Sequence, residues 1–244
     1  MRHLTAGAAW SGLSRDEERC IVLLRGEFVV TWAGRRTASA RAPTCSSATR
    51  TPCYLPRDTP FRDRRVGGVR DWPIAARRPS RALAPRVIRP EDCGYEIRGG
   101  GNATRQIVDI VPPGFPADRL LICEVFTPGG NWSSYPPHKH DTDDPPREVD
   151  LEEIYYYRYQ RSERATGSSA LYDRPARRHA ARRRTATSWR CATAITRLLQ
   201  RYGYDAYYLN VLAGDAPVDG GERRSPLRDG SAAPGRRRIR GCRS

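Results

Sequence analysis

The chain has 244 residues, and its 43 basic against 27 acidic side chains give a formal net charge of +16 at pH 7. Such an excess usually favours nucleic acid or anionic membranes as partners. Residues 81–162, however, carry a net charge of −3, so the excess lies elsewhere and a nucleic-acid partner is not predicted. The sequence has no apolar run of signal-peptide or membrane-spanning length, which predicts a cytoplasmic protein without a membrane partner.

The use of cysteine and lysine adds two constraints. The seven cysteines are odd in number and form no CxxC pair, which predicts neither a disulfide framework nor a zinc ribbon and favours a reducing compartment. Lys139 is the single lysine, and every other basic residue is arginine. Arginine-only excess with abundant Ala, Pro, Gly and Ser is typical of GC-rich DNA translated out of frame.

The N-terminal third predicts an interrupted β domain. Cys20–Leu24 and Phe28–Trp32 are apolar runs on either side of a turn, which indicates a hairpin of the kind that opens a β-barrel wall. Four segments show no periodic pattern and are expected to be disordered or misfolded: 35–52, 63–72, 163–201 and the basic tail 215–244. Within the third of these, Ile195–Leu199 has helical spacing and predicts one turn of helix.

Between residues 82 and 162 the strand signal is continuous. Tyr95–Arg98, Ile107–Val111 and Leu120–Phe126 are predicted strands, and Gly203–Gly214 supplies another later in the chain. The triplet Gly99–Gly101 predicts either a tight turn or an anion cradle. Because the sequence has no Walker lysine and no GxGxxG, a nucleotide site is not predicted.

The strongest chemical signal is the pair His138 and His140. Two residues apart on a strand, both imidazoles face the same side. The loop 141–150 can fold the chain back and bring Glu152 or Glu153 to that side, which predicts a three-ligand metal site with open positions. The alternative is a pair of surface histidines beside a flexible acidic loop.

A tyrosine-rich strand follows this loop. Strand alternation puts Glu153, Tyr155, Tyr157 and Tyr159 on one face and Glu152, Ile154, Tyr156 and Arg158 on the other. The pattern is compatible with a half-buried strand whose hydroxyl groups reach water. It is equally compatible with a pocket wall that binds the hydroxyl groups of a polar substrate.

Four long motifs closely resemble the 5-deoxy-glucuronate isomerase family of bacterial myo-inositol catabolism: residues 98–106, 136–141, 151–158 and 204–211. The resemblance is close over 82–162 and 203–214 and weaker over 1–34. It implies an all-β tandem cupin, a bicupin, with an N-terminal barrel at 1–80, a metal-binding barrel at 81–214 and a disordered tail at 215–244. It also implies a small-molecule sugar acid as substrate; the sequence indicates no oligomeric state.

By the same resemblance, His138, His140 and Glu153 match the cupin metal ligands, with Glu152 as the alternative carboxylate, and the ion is a divalent metal, zinc or manganese. The family also implies a last histidine in a Gly-Tyr-His-Pro segment before Gly203, and this chain lacks it. Reading residues 185–197 in a shifted frame can restore Gly-Tyr-His-Pro, with the histidine codon across Ile195 and Thr196. The sequence therefore predicts frame-shifted segments.

The family reaction is an aldose–ketose isomerisation of 5-deoxy-D-glucuronate to 5-dehydro-2-deoxy-D-gluconate, an intramolecular oxidation and reduction. Candidates for the acid and base are Glu152, Lys139, Tyr155 and Tyr157. Arg105 or Arg158 could hold the substrate carboxylate in a bidentate pair. Three alternatives stay open: a cupin metal enzyme of other chemistry such as an oxygenase, a non-catalytic sugar-binding cupin, and an inactive frame-damaged product.

Overall fold

The computed structural model of the protein describes residues 2–4, 9–13, 16–32, 35–36, 40–42, 51–75, 78–81, 83–138, 140, 142–144, 149–159, 167–173, 177–183, 187–191 and 195–214. Within these ranges the regular structure is all strand apart from two short 3-10 helices, Pro90–Asp92 and Gly101–Ala103. The all-β prediction is confirmed. No helix in the described ranges has the length and apolar character needed to cross a membrane.

The described chain divides into two compact units. The first runs to Cys93 and includes Gly114–Leu120, and the second comprises Gly94–Pro113 and Leu121–Gly214.

The first unit is built on one eight-stranded sheet. Its strands are β1 (Arg2–Leu4), β2 (Ala9–Leu13), β3 (Arg19–Trp32), β4 (Arg35–Arg36), β5 (Ala40–Ala42), β6 (Cys53–Leu55), β7 (Pro60–Ala75) and β8 (Arg86–Val87). The main order is β1-β7-β3-β6-β8; β2 pairs with β7, while β4 and β5 pair with β3. Strand alternation directs one row of apolar side chains into a core of Ile21, Leu23, Val30, Trp32, Cys53, Leu55 and Phe61.

The predicted hairpin at the start of this unit is wrong. The two apolar runs belong to a single strand, β3, which pairs antiparallel with β7 from Arg19 to Trp32. The residues that suggested a turn coincide with two register shifts, between Leu23 and Arg25 and between Arg25 and Glu27. Bulges let a strand absorb an irregular stretch and continue, so a Gly-containing break in the pattern does not have to reverse the chain.

The structure also differs from the expected disorder at 63–72, because these residues lie inside β7. Strand pairing is made by backbone groups, and β3 offers β7 a long partner on which a segment without apolar alternation can still pair. Of the segment 35–52, also expected to be disordered or misfolded, two short strands are described: β4 at residues 35–36 and β5 at residues 40–42. Residues 43–50 lie outside the described ranges. Residues 215–244 also lie outside them.

A buried carboxylate closes the first unit. Glu18 is fully buried and accepts four hydrogen bonds. The donors are the Tyr54 hydroxyl at 2.6 Å and the backbone N–H groups of Asp118 at 2.9 Å, Arg119 at 2.6 Å and Leu120 at 2.8 Å. A buried charge is tolerated only when its oxygens are satisfied, and Glu18 therefore fixes the segment 118–120 against the strand region around Tyr54.

The second unit has two antiparallel sheets. The six-stranded sheet has the order β16-β13-β18-β11-β10-β9, and the four-stranded sheet has the order β12-β17-β14-β15. The strands are β9 (Gly94–Arg98), β10 (Arg105–Val111), β11 (Leu120–Thr127), β12 (Trp132–His138), β13 (Leu151–Tyr159), β14 (Gly167–Asp173), β15 (Arg177–Arg183), β16 (Thr187–Cys191), β17 (Ile195–Gln200) and β18 (Ala206–Gly214).

The predictions for 163–201 are therefore wrong where the structure describes this segment. It contributes β14–β17, and the expected helical turn at Ile195–Leu199 is strand β17. β17 pairs with β12 on one side and β14 on the other, so both backbone edges are hydrogen-bonded. The Leu198 and Gln200 side chains are buried with half-buried Leu199 between them, the alternation of a strand. Tertiary pairing has overridden a five-residue pattern too short to decide.

The two sheets of the second unit pack face to face. Leu198 from β17 lies in one cluster with residues of the six-stranded sheet: Ile107, Cys123, Val125, Tyr155, Tyr157, Tyr159, Ala206 and Tyr208. A hydrogen bond of 2.7 Å between the Ser133 and Tyr208 hydroxyl groups also joins the sheets. The face of the six-stranded sheet that carries this cluster is called the inner face below.

Candidate functional site

The inner face carries the tyrosines that the alternation of β13 predicts. Tyr155, Tyr157 and Tyr159 are all buried, and their rings stack in a ladder with centroids 5.8 Å and 6.1 Å apart. Tyr208 from the neighbouring β18 meets the first two rings at 5.4 Å and 5.7 Å, with inclined planes. The ladder forms a rigid aromatic wall whose hydroxyl groups keep the interior polar.

Glu153 stands at the end of this ladder and is only 3% exposed. Asn210 on β18 donates its amide N–H to Glu153 Oε1 at 2.9 Å. Burial first, and then the charge of Glu153, raises the pKa of Tyr155 well above its ordinary value. Tyr155 is therefore protonated at neutral pH, on the same face as a buried carboxylate that the Asn210 amide holds in place.

Tyr208 lies in the middle of the inner face. Its hydroxyl is bonded to Ser133, and burial raises its pKa to about 12, although the hydrogen bond from Ser133 and the charge of Arg105 act in the opposite direction. The phenol is therefore neutral over the physiological range and can donate or accept a hydrogen bond.

Arg105 is placed on the inner face by β10. It is 4% exposed, and its Nη1 donates to the Ala103 carbonyl at 3.1 Å. Burial lowers its pKa from the ordinary arginine value, and neighbouring Arg98 lowers it further. The loop beside it contains Gly99 at φ +81°, where a Cβ would collide with the Ala103 carbonyl oxygen and lie 3.0 Å from Arg105 Nη1. Of the two interpretations of the glycine triplet, the structure has the tight turn, which joins β9 to β10.

Several polar residues of this face carried no motif. Asp109 and Cys123 are paired in register on β10 and β11, and Asn210 is opposite Tyr155 on β18. Burial raises the pKa of the Asp109 carboxyl and, more strongly, that of the Cys123 thiol, with Asp109 and Glu153 contributing to the second shift. In the sequence, Asp109, Cys123 and Asn210 lie within strand segments that show no functional motif. Their shared face with Glu153 becomes apparent only from the register of the strands.

The structure separates the remaining site candidates. Glu152 and Arg158 alternate with the inner-face residues along β13 and so belong to its opposite face, both half-buried. Lys139 lies outside the described residues. His138 ends β12, with its backbone opposite Thr196 of β17, and its side chain is also outside the described part. His140 accepts a hydrogen bond at its carbonyl from Leu151 N–H at 2.9 Å.

Glu153 fits one ligand position of the implied metal. It is a buried carboxylate of the kind that binds a cation, and the Asn210 amide orients it. In the described part of the chain, no three His, Cys, Asp or Glu side chains come together as a metal site.

Two facing antiparallel sheets that enclose a polar interior are the architecture of the cupin class. Solved cupins agree on the fold: oxalate decarboxylase of Bacillus subtilis, for which Mn(II) centres are known, superposes with a TM-score of 0.58 at 11% identity over 88% of this chain and 68% of that chain. An IolB-like protein of Salmonella typhimurium superposes with a TM-score of 0.82 at 28% identity, over 87% of this chain and 81% of that chain.

The sequence relationship is more specific than the fold. The KduI/IolB family model matches residues 1–221, and the chain belongs to this family. A 5-deoxy-glucuronate isomerase of Geobacillus kaustophilus is 40% identical over 149 residues, which span 59% of this chain and 53% of that protein. The enzyme of the same name from Bacillus subtilis strain 168 is 33% identical over 86% of this chain and 79% of that protein. The first of these alignments thus spans about half of the relative's length. The predicted family is confirmed.

Proposed function

We propose that this protein acts on a sugar acid by the reaction of its named relatives, the interconversion of 5-deoxy-D-glucuronate and 5-dehydro-2-deoxy-D-gluconate in myo-inositol degradation. The observation that carries the proposal is the buried Glu153, held by Asn210 at the end of a tyrosine ladder. It gives an enclosed polar wall with an oriented proton donor. The proposal uses Glu153, Tyr155, Tyr157 and Arg105, which share the inner face, and leaves out Glu152 and Arg158.

The reaction moves one proton between adjacent carbons. As the C2 proton leaves the aldose, the C1 oxygen gains a proton and an enediol forms. The C2 hydroxyl then loses its proton while C1 gains one, which leaves the ketose with the same atoms. Tyr155, which burial keeps protonated, is suited to exchange a proton with a substrate oxygen. Lys139 is retained as the proposed base at carbon, and Arg105 is the proposed partner of the substrate carboxylate.

A divalent metal, zinc or manganese, is part of this proposal, with His138, His140 and Glu153 as its ligands. When bound, such an ion would supply polarisation of the carbonyl and stabilisation of negative charge on the enediolate oxygens.

The test incubates the purified full chain with 5-deoxy-D-glucuronate and follows product formation and exchange of the C2 hydrogen by NMR. Anaerobic conditions exclude oxygenase chemistry. We expect Tyr155→Phe and Glu153→Gln to lower turnover by roughly 10²- to 10⁴-fold, and Glu153→Gln also to lower the metal content. Glu152→Gln, one residue away on the opposite face, compares the two faces directly. Loss of turnover in Glu152→Gln with full activity in Glu153→Gln would contradict the assignment.

A second candidate is sugar-acid binding without turnover, which the missing Gly-Tyr-His-Pro segment favours. We propose that residues 185–197, which occupy the place of the missing segment, and the residues around them are translated from a shifted reading frame. The register supports this idea, since the shifted histidine codon spans Ile195 and Thr196, and Thr196 is opposite His138. Sequencing the gene tests for compensating insertions or deletions near residues 163 and 202. A frame-restored chain should gain metal and activity over the present chain, and equal activity in the two would count against frame damage.

A further inference from the structure

Two buried arginines face each other across the turn between β9 and β10. Arg98 and Arg105 are direct partners in the antiparallel register, so their side chains leave the same face of the sheet. They are 8% and 4% exposed. Arginines are almost never this buried without partners for their N–H groups, and two adjacent guanidinium groups repel each other. The pair therefore needs an explanation beyond packing.

The partners within the protein satisfy Arg98 only in part. Its Nε and Nη2 donate to Glu96 at 3.0 Å and 2.6 Å, and the Glu96 side chain is 44% exposed. Its Nη1 is buried and has no hydrogen-bond partner in the described part of the chain. Asp109 lies on the same face and interacts electrostatically with Arg98. Two carboxylates thus offset the two positive charges, and what is missing is an acceptor oxygen for Nη1.

A second unsatisfied group lies in the same row of the sheet. Thr127, on β11, is one register step beyond the Gln106–Phe126 pair, which puts it level with Arg105. It is 1% exposed, and its hydroxyl has no hydrogen-bond partner among the described residues. Buried donors without acceptors are rare in folded proteins and mark places where a ligand or an ordered water belongs. Here two occur on one face, beside the polar interior.

We infer that Arg98, Arg105 and Thr127 form a carboxylate-binding subsite that recognises the acid end of a sugar acid. A carboxylate offers planar acceptor oxygens that match a guanidinium edge, and a hydroxyl group can donate to the same oxygens. Gly99, at φ +81°, lets the turn bring the Ala103 carbonyl against the Arg105 guanidinium, which holds Arg105 in place on this face. The subsite deepens the proposed function, since it names the groups that distinguish a sugar acid from a neutral sugar.

The experiment measures binding, so it does not depend on turnover. Full-length protein is titrated with D-glucuronate and with D-glucose, and the affinities are read by calorimetry or ligand-observed NMR. We expect the acid to bind at least about 10-fold more tightly than the neutral sugar. Arg98→Gln should lower the affinity for glucuronate by roughly 10- to 100-fold and leave the affinity for glucose unchanged.

Thr127→Val is the second variant, because it keeps the shape of the side chain and removes only the hydroxyl. It should lower the affinity for glucuronate by about 3- to 10-fold. Arg86→Gln, an exposed arginine of β8, is the control and should leave the acid preference intact. A purely structural role for Arg98 would lower stability without changing the ratio of the two affinities.

The outcomes separate this inference from the proposed function. Equal affinity of the unaltered chain for acid and neutral sugar overturns the subsite, as does an acid preference that survives both Arg98→Gln and Thr127→Val. Arginine-dependent binding of glucuronate in a chain that does not isomerise 5-deoxy-D-glucuronate supports the subsite and removes the activity. If the chain isomerises 5-deoxy-D-glucuronate but Arg98→Gln and Thr127→Val keep the preference for glucuronate over glucose, the activity is supported and the subsite is overturned.

Discussion

The interiors of the two units differ in kind. The core of the first unit is aliphatic and aromatic, and Glu18, one of its buried carboxylates, is surrounded by four donors. The inner face of the second unit carries a tyrosine ladder and buried ionisable groups. Some of its polar atoms, such as Arg98 Nη1 and Thr127 Oγ1, have no partner within the described residues, and in the first unit the same holds for Arg119 Nη1.

Whether a buried polar group has all of its hydrogen bonds distinguishes a role in stability from a role in function. A polar group with every hydrogen bond satisfied holds the fold together, and its loss leaves several buried donors unpaired. A buried polar group left short of partners costs stability and persists where it serves another purpose. Substitution of Glu18 is therefore expected to unfold the first unit, and substitution of Arg98 or Thr127 to weaken binding at the inner face of the second.

The largest effect is expected at Glu18. Glu18→Gln replaces one acceptor oxygen with an NH2 group that faces backbone donors, and it should lower the free energy of unfolding by about 3–5 kcal/mol. Denaturant unfolding together with hydrogen exchange of peptides from the first unit measures the loss. Glu17→Gln is the matched control, since the Glu17 side chain is 44% exposed and its ion pair with Arg19 is worth less than about 1 kcal/mol. Equal stability of the two variants would show that the buried hydrogen bonds of Glu18 do not stabilise the first unit more than a surface ion pair does.

Two Tyr→Phe substitutions, one in each unit, should cause smaller losses of unfolding free energy that can be compared directly. Tyr54 donates to the Glu18 carboxylate at 2.6 Å, and Tyr54→Phe should cost about 1.5–3 kcal/mol, the range for hydrogen bonds to charged groups. Tyr208 is bonded to the neutral Ser133 at 2.7 Å, so Tyr208→Phe should cost only about 0.5–1.5 kcal/mol. The same denaturation experiment compares them, and the reverse order would show that the second unit depends more on its polar groups for stability.

Alkaline pH should destabilise the second unit through Tyr208. Its folded pKa of about 12 lies above the ordinary value of 10, so the folded state holds the phenolic proton more tightly than the unfolded state. The corresponding stability is fully present below pH 10 and declines as the pH rises to about 12. Tyrosinate absorbance and the denaturation midpoint follow this decline, which Tyr208→Phe should reduce. An unchanged alkaline slope in that variant would assign the effect to other groups.

The smallest effect is expected at the surface of the first unit. Arg78 and Asp16 approach within 3.7 Å, with side chains 84% and 67% exposed. Solvent screening limits such a pair to less than about 0.5 kcal/mol, so Arg78→Ala should not measurably move the denaturation midpoint. A larger loss, checked against added salt, would mean that charge at the surface of this unit contributes as much as its buried hydrogen bonds.

The sequence predicted the strands wherever apolar alternation was intact. Tyr95–Arg98, Ile107–Val111 and Leu120–Phe126 became β9, β10 and β11, and the tyrosine run became β13. It failed where the pattern was weak, at 63–72 and at Ile195–Leu199, because there the partner strands impose pairing through the backbone. The apparent hairpin within β3 failed for a related reason, since bulges absorb the irregular residues.

The family, the all-β class and the shared face of Glu153, Tyr155 and Tyr157 follow from the amino-acid sequence alone, because motifs and side-chain period are local properties of the chain. Which distant residues join that face depends on the three-dimensional fold. Asn210 meets Glu153, Ser133 meets Tyr208, and Arg98 meets Arg105 through the register of separate strands and the packing of two sheets. Register is set by the summed pairing and packing of whole strands, which no local spacing records.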